Sequence, residues 1–107
     1  MSDGFVCVGD RSELARNATI VRSVGNYEVA IFDVDGELFA LENSCPHQGG
    51  PLAEGSVERG VVTCPWHAWR FDLRTGYMTL GDFARVARFA IFVDEGRIWL
   101  GEEPLEE

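Results

Sequence analysis

The sequence predicts an all-β domain of antiparallel strands, and two features indicate it. Two segments rich in β-branched and aromatic residues end at a turn pair of an acidic residue and a glycine, Asp35-Gly36 and Glu95-Gly96, and an apolar segment follows each pair. This arrangement is typical of tight β-hairpins. Helical patterns are weak, because residues 12–16 offer less than two turns of helix.

The strands are predicted in chain order from apolar runs. Outside the middle of the chain they are 5–8 (FVCV), 27–34 (YEVAIFDV), 37–41 (ELFAL), 88–93 (RFAIFV) and 97–100 (RIWL). Between the two hairpins, glycines divide the chain into brief strands near 57, 61–63 and 69–72, with a turn at 73–76. We expect a single domain over residues 1–107.

Composition narrows the classes of function. The 107 residues include no apolar run near the ~20 needed to cross a membrane. The net charge is −9, with nine basic residues that are all arginine, so neither nucleic acid nor an anionic membrane is an expected partner. The start of the chain does not resemble a secretory signal, and three cysteines do not suggest a disulfide framework, so we expect a cytoplasmic protein.

The negative charge is unevenly distributed along the chain. Residues 1–43 sum to −5 and residues 102–107 to −4, so the segment between them is neutral. Residues 44–54 hold one charged residue, Glu54, and residues 63–70 hold one, Arg70. This distribution predicts an acidic body that steers a protein partner with a basic face at long range, and nearly neutral segments at 44–54 and 63–70 that make the close contact.

Both histidines and two of the three cysteines form paired sets. Cys45-Pro46-His47 is followed by sixteen residues and then by Cys64-Pro65-Trp66-His67. One thiolate and one imidazole from each of two loops can complete a four-ligand metal site. Zinc also accepts two cysteines and two histidines, so the residue types alone do not choose the metal.

The two sets match the C-x-H and C-x-x-H pattern of the Rieske family, which the chain resembles over nearly its whole length. The flanking segments VDGELFALENSCPH and CPWHAWRFDLRTG resemble that family too. The resemblance implies a Rieske fold, with an antiparallel β-sandwich base and an inserted cluster-binding subdomain at about residues 43–80. It also implies one [2Fe–2S] cluster, with Cys45 and Cys64 on the inner iron and His47 and His67 on the outer iron.

Within this family, the chain is most similar to the ferredoxin component of multicomponent aromatic-ring oxygenases. The resemblance implies a soluble one-electron carrier that passes electrons from a flavoprotein reductase to a terminal oxygenase and is not itself an enzyme. One alternative is the Rieske-like small subunit of an NAD(P)H-dependent nitrite reductase. The other is a structural zinc-binding domain.

High-potential Rieske proteins carry a disulfide and hydroxyl groups near the cluster, and the corresponding positions here are Gly50, Trp66, Trp69 and Phe71. None of these residues can form the disulfide or donate a hydroxyl hydrogen bond. We therefore predict a reduction potential at the low end of the Rieske range.

Further expectations concern residues outside the ligand set. Cys7 is expected in the core, because it lies in an apolar run. Arg70, Asp72 and Arg74 are expected to form a salt bridge within their turn. Trp66 is a candidate to shield the cluster, to contact a partner or only to pack its loop. In many members of the family a proline-rich third loop covers the cluster; residues 78–83 occupy its place here without a proline, and Leu80 and Phe83 are the candidates to cover the cluster. Four apolar loop residues have two alternative roles: they form a rim on which a partner docks, or they only stiffen their loops. These residues are Pro46, Pro51, Leu52 and Pro65.

Overall fold

The computed structural model describes residues 4–43, 51–65, 70–77 and 86–105. The strands are β1 Phe5–Asp10, β2 Thr19–Val24, β3 Tyr27–Val34, β4 Glu37–Glu42, β5 Ser56–Glu58, β6 Val61–Thr63, β7 Arg70–Asp72, β8 Ile91–Asp94 and β9 Arg97–Gly101. Short 3₁₀ turns lie at Arg11–Glu13 and Leu52–Glu54, and the described ranges contain no α-helix. The predicted all-β class is confirmed. The described part of the chain has no helix long and apolar enough to cross a membrane.

The strands form three antiparallel sheets of three strands each. The first sheet has the order β1-β9-β8, the second β2-β3-β4, and the third β5-β6-β7. The first two sheets form the base, with strands from both ends of the described chain. The third sheet is inserted between β4 and β8 and lies within the range 43–80 predicted for the cluster-binding subdomain, whose boundaries stay a prediction.

The second sheet is the middle layer, because both of its faces are buried. Val29 and Ile31 of β3 pack on Ile98 and Leu100 of the first sheet. The side chains between them face the other way, into a core shared with the third sheet, whose buried members are Ala30, Phe32, Leu41, Leu52, Val62, Cys64, Phe71, Leu73 and Val86. Burial on both faces explains why β3 is a continuous apolar run and not an alternating pattern.

Both predicted hairpins are confirmed. In each turn the acidic residue and the glycine have positive φ angles, 52° and 95° at Asp35-Gly36 and 52° and 77° at Glu95-Gly96. Positive φ at both central residues is the requirement of a type I′ turn, whose twist matches that of the paired strands. The pair Arg59-Gly60, at 55° and 78°, makes the same kind of turn between β5 and β6.

Two strand predictions differ from the structure. β2 was not predicted, although its six residues pair with β3 from Thr19 opposite Phe32 to Val24 opposite Tyr27. β8 begins at Ile91 and not at residue 88, because the strand pairing of Arg88 is an isolated bridge to Leu41.

An ion pair between the partly exposed Arg11 and the buried Asp33 lies in the base. The Asp33 side chain is fully buried, and it accepts hydrogen bonds from the Arg11 guanidinium at 2.5 Å and from the amides of Asn17 at 3.1 Å and Gly36 at 2.9 Å. Burial opposes ionisation of this carboxyl, but the two amides and the guanidinium outweigh that effect and lower its pKa.

Because the pKa is lower in the folded state, ionised Asp33 stabilises the fold above its ordinary pKa near 4, and this contribution is lost as pH falls through the folded value. Asp33→Asn should reduce the free energy of unfolding by about 2 kcal/mol at pH 7. The difference from wild type should shrink below about pH 4, as measured by urea unfolding with tryptophan fluorescence. Asp35→Asn, at an exposed carboxyl 3.6 Å from Arg16, is the control and should cost less than about 0.5 kcal/mol.

Candidate metal centre

Cys64 is the candidate ligand that the structure describes. It directly follows β6, which ends at Thr63, and its side chain is only 1% exposed. Leu52, Val62 and Phe71 belong to the same apolar core cluster. The fold thus places one predicted thiolate at the end of a buried strand, in surroundings of low polarity.

The other three predicted ligands, Cys45, His47 and His67, lie outside the described residues. The structure nevertheless fixes where the chain enters and leaves their segments. Asn43, next to the end of β4, precedes residues 44–50, and the segment 66–69 lies between Pro65 and β7. The described residues form a frame around these segments, and the full ligand set stays a prediction.

Residues 51–55, where the chain returns from the first segment (the loop return), lie against β6, the strand that leads to Cys64. A Cβ atom placed on Gly55 would be 2.1 Å from the carbonyl oxygen of Thr63, so the two backbones approach too closely for any side chain. Gly55 has a φ of −80°, which any residue can adopt, so space and not backbone conformation requires glycine here. This contact brings the bases of the two predicted ligand loops together.

Asn43 holds the other side of the same frame. Its side-chain oxygen accepts a hydrogen bond from the amide of Ala53 at 2.6 Å, and its side-chain nitrogen donates to a carboxylate oxygen of Glu28 at 3.2 Å. The two ends of the first predicted ligand loop are thereby joined to each other and to β3.

The described residues on either side of segment 78–83 also contact each other. The amide of Val86 donates to the carbonyl of Gly76 at 2.7 Å, and a Cβ atom on Gly76 would be 2.4 Å from the carbonyl oxygen of Val86. Residues 78–83, predicted to cover the cluster, lie outside the described residues, as do Trp66, Pro46, Gly50 and Trp69.

Three expectations about neighbouring residues change. Arg74 does not pair within its turn: its guanidinium contacts the Glu37 carboxylate at 3.2 Å, while Asp72 accepts the Arg74 amide at 2.7 Å. Leu52 is fully buried and is therefore not part of an exposed docking rim. Cys7 is exposed and not in the core, because its neighbours Val6 and Val8 point inward from the same strand.

The described residues fit an iron–sulfur cluster held between two loops. A buried thiol at a strand end can bind as a thiolate, since a metal neutralises the charge that the apolar surroundings would disfavour. Phe71 lies fully buried in the core cluster that contains Cys64, and its side chain offers no hydroxyl group to a sulfur.

Asn43 and Gly55 were not identified from the sequence. One feature of the sequence could have indicated Asn43: it is a polar residue directly after a strand and two positions before Cys45. Gly55 is one of twelve glycines, and only its spatial neighbour Thr63 distinguishes it.

Known proteins are similar to this chain in sequence and in fold. The family model described as "Rieske [2Fe-2S] domain" matches residues 4–90. A human Rieske domain-containing protein is 37% identical over 75 residues, which is 66% of this chain and 48% of that protein. The ferredoxin component of the alkene monooxygenase system of Xanthobacter autotrophicus is 35% identical over 86 residues, 79% of this chain and 70% of that protein.

A solved structure extends the similarity. The ferredoxin of carbazole 1,9a-dioxygenase from Nocardioides aromaticivorans IC177 has a TM-score of 0.86 and 26% identity, over 92% of this chain and 98% of that one. The chain thus spans about half the length of the human relative and nearly all of the solved ferredoxin.

Proposed function

Because the chain belongs to the Rieske [2Fe–2S] domain family, we propose that it is a one-electron carrier of an oxygenase system and not an enzyme by itself. The family predicted from the sequence and its cofactor, one [2Fe–2S] cluster, are confirmed by the family match. The observation that carries the proposal is the buried Cys64 thiol beside the joined bases of the two loops, within a chain similar to ferredoxin components along most of its length.

The cluster ligands belong to the proposal. Cys45 and Cys64 would hold the inner iron, and His47 and His67 the outer iron. When bound, the cluster supplies a site that takes up and releases a single electron. The chain's own contribution is to hold the Cys64 thiolate away from water, through the buried side chains of Leu52, Val62 and Phe71.

The reduction potential follows from these surroundings. Hydrogen-bond donors to the sulfurs stabilise the reduced state and raise the potential, and solvent exclusion lowers it. Phe71 supplies no donor, and Cys64 is almost completely buried. We expect a midpoint potential near the low end of the Rieske range, about −150 mV.

We propose a flavoprotein reductase as the electron donor and a terminal oxygenase as the acceptor, both in the cytoplasm. The similarity to a ferredoxin component of a monooxygenase system supports this assignment. The described ranges 51–65 and 70–77, next to the predicted ligand loops, contain equal numbers of acidic and basic side chains. These are Glu54, Glu58 and Asp72, and Arg59, Arg70 and Arg74. Close contact at this end would therefore not need to neutralise a large charge.

The acidic body predicts a salt-dependent encounter with the oxygenase. Raising the ionic strength from about 10 mM to about 500 mM should slow electron delivery about tenfold, because salt screens long-range attraction. Stopped-flow oxidation of the reduced carrier by the oxygenase measures this rate. A rate independent of salt would remove the steering role and leave the contact surface unaffected.

The purified protein tests the function directly. We expect two irons and two sulfides per chain, an electron paramagnetic resonance spectrum of mixed thiolate and imidazole ligation after reduction, and reduction by NADH with a ferredoxin reductase. Zinc without iron would support the structural zinc domain, and a strongly positive potential would exclude this class of carrier. Stable co-purification with a sirohaem subunit would favour the nitrite reductase alternative.

A further inference from the structure

Asn43 is a buried amide at the point where the chain leaves the base for the first predicted ligand loop. Asn43 is only 8% exposed, and it lies two positions before Cys45 in the sequence. Three hydrogen bonds surround it: its own amide donates to the Glu28 carbonyl at 2.7 Å, its Oδ1 accepts from the Ala53 amide at 2.6 Å, and its Nδ2 donates to Glu28 Oε1 at 3.2 Å.

These contacts need one neutral side chain that both accepts and donates. An aspartate could accept from Ala53 but would oppose its carboxylate to that of Glu28, and an apolar residue would leave the Ala53 amide without this acceptor. Asparagine satisfies both neighbours at once. The requirement is therefore chemical and not only one of size.

Ala53 is close in the chain to two residues that contact the core around Cys64 or the strand β6. Leu52 is fully buried in the cluster that also contains Cys64, and Gly55 lies against the carbonyl of Thr63. A displacement of Ala53 would be transmitted to both contacts, because close-packed cores do not absorb such shifts freely. Asn43 thus connects the start of the first loop, its return and the strand that leads to Cys64.

We propose that Asn43 is a positioning residue for the cluster. By fixing residues 43 and 53 to each other and to Glu28 of β3, it holds the two ends of the loop that carries the proposed ligands Cys45 and His47. This inference depends on the proposed ligand set. It predicts that the Asn43 contacts influence the electronic signature of the cluster as well as the stability of the fold.

The test uses Asn43→Asp alone and together with Glu28→Gln in the full-length protein that carries its cluster. Asn43→Asp should lower iron and sulfide per chain at least twofold and alter the paramagnetic resonance spectrum of the reduced cluster. The double variant restores the net charge, and its glutamine can donate to the new carboxylate. It should return iron content, spectrum and midpoint potential towards the wild-type values.

Asn17→Asp is a matched control in the base. Asn17 makes the same two kinds of contact, since its Oδ1 accepts the Asp35 amide at 2.8 Å and its Nδ2 donates to the Asp35 carboxylate at 3.3 Å. This variant should keep the wild-type spectrum and potential even if it is less stable. Equal changes in the two aspartate variants, or wild-type cluster properties in Asn43→Asp, would overturn the proposal.

If Asn43→Asp does not fold, Glu28→Ala provides a second measurement, because it removes only the carboxylate that accepts from Asn43 Nδ2. It should produce a smaller change in the spectrum and potential, and an unchanged cluster in this variant would contradict the positioning role. A wild-type protein without iron and sulfide would instead refute the proposed function itself. The two failures are therefore distinguishable.

Discussion

Replacing Cys64 with alanine should reduce iron and sulfide per chain to less than about a tenth of the wild-type content. A cluster thiolate cannot be replaced by a methyl group, and the other cysteine that the structure describes, Cys7, is exposed on β1 of the base. Iron and acid-labile sulfide analysis, with the visible absorption spectrum, measures the effect. Far-UV circular dichroism shows whether the strands persist without the cluster.

Cys7→Ala is the control for this substitution. It removes the same functional group from an exposed position, where the thiol donates a long hydrogen bond of 3.9 Å to the Gly9 carbonyl. We expect wild-type iron and sulfide content in this variant. Retention of a full cluster by Cys64→Ala, or its loss from Cys7→Ala, would refute the assignment of Cys64 as the buried ligand.

Gly55→Ala should have the second largest effect, because a methyl group has no room between the loop return and β6. The added carbon would lie 2.1 Å from the Thr63 carbonyl oxygen, so the backbone on one side must move. Movement of Thr63 displaces Cys64, and movement of the loop return displaces the buried Leu52. We expect a loss of about 3 kcal/mol in the free energy of unfolding, together with at least a threefold loss of iron.

Gly101→Ala is a matched control at another glycine with an ordinary φ. The nearest atom to its added carbon would be the Ala90 Cβ at 3.6 Å, an ordinary van der Waals distance. Urea unfolding and iron analysis should give values close to wild type for this variant. Similar losses in both variants would show that the Gly55 contact has no special role in holding the loops.

Local chemistry explains which features could be predicted from the sequence. The hairpins at Asp35-Gly36 and Glu95-Gly96 were predictable because two adjacent residues largely determine a tight turn. The ligand set was predictable as a hypothesis because few side chains bind metals, and here they occur in two short sets. Neither prediction required knowledge of residues distant in the chain.

The features that were missed depend on distant contacts. Gly55 is required by Thr63, and Asn43 by Ala53 and Glu28, so their roles appear only when the sheets are assembled. Cys7 was placed on the wrong side of β1 for a similar reason. An apolar run does not indicate which of its alternating side chains faces the core.

The pairing of β1 with β9 has a consequence for how the domain folds. It joins Phe5 to Gly101, so the first sheet cannot form until nearly the whole chain is available. The third sheet, by contrast, consists of neighbouring strands joined by short connections, and its pairings close far smaller loops. Since distant pairings form slowly, closure of the base is expected to be the late step of folding, after the frame around Cys64 has begun to assemble.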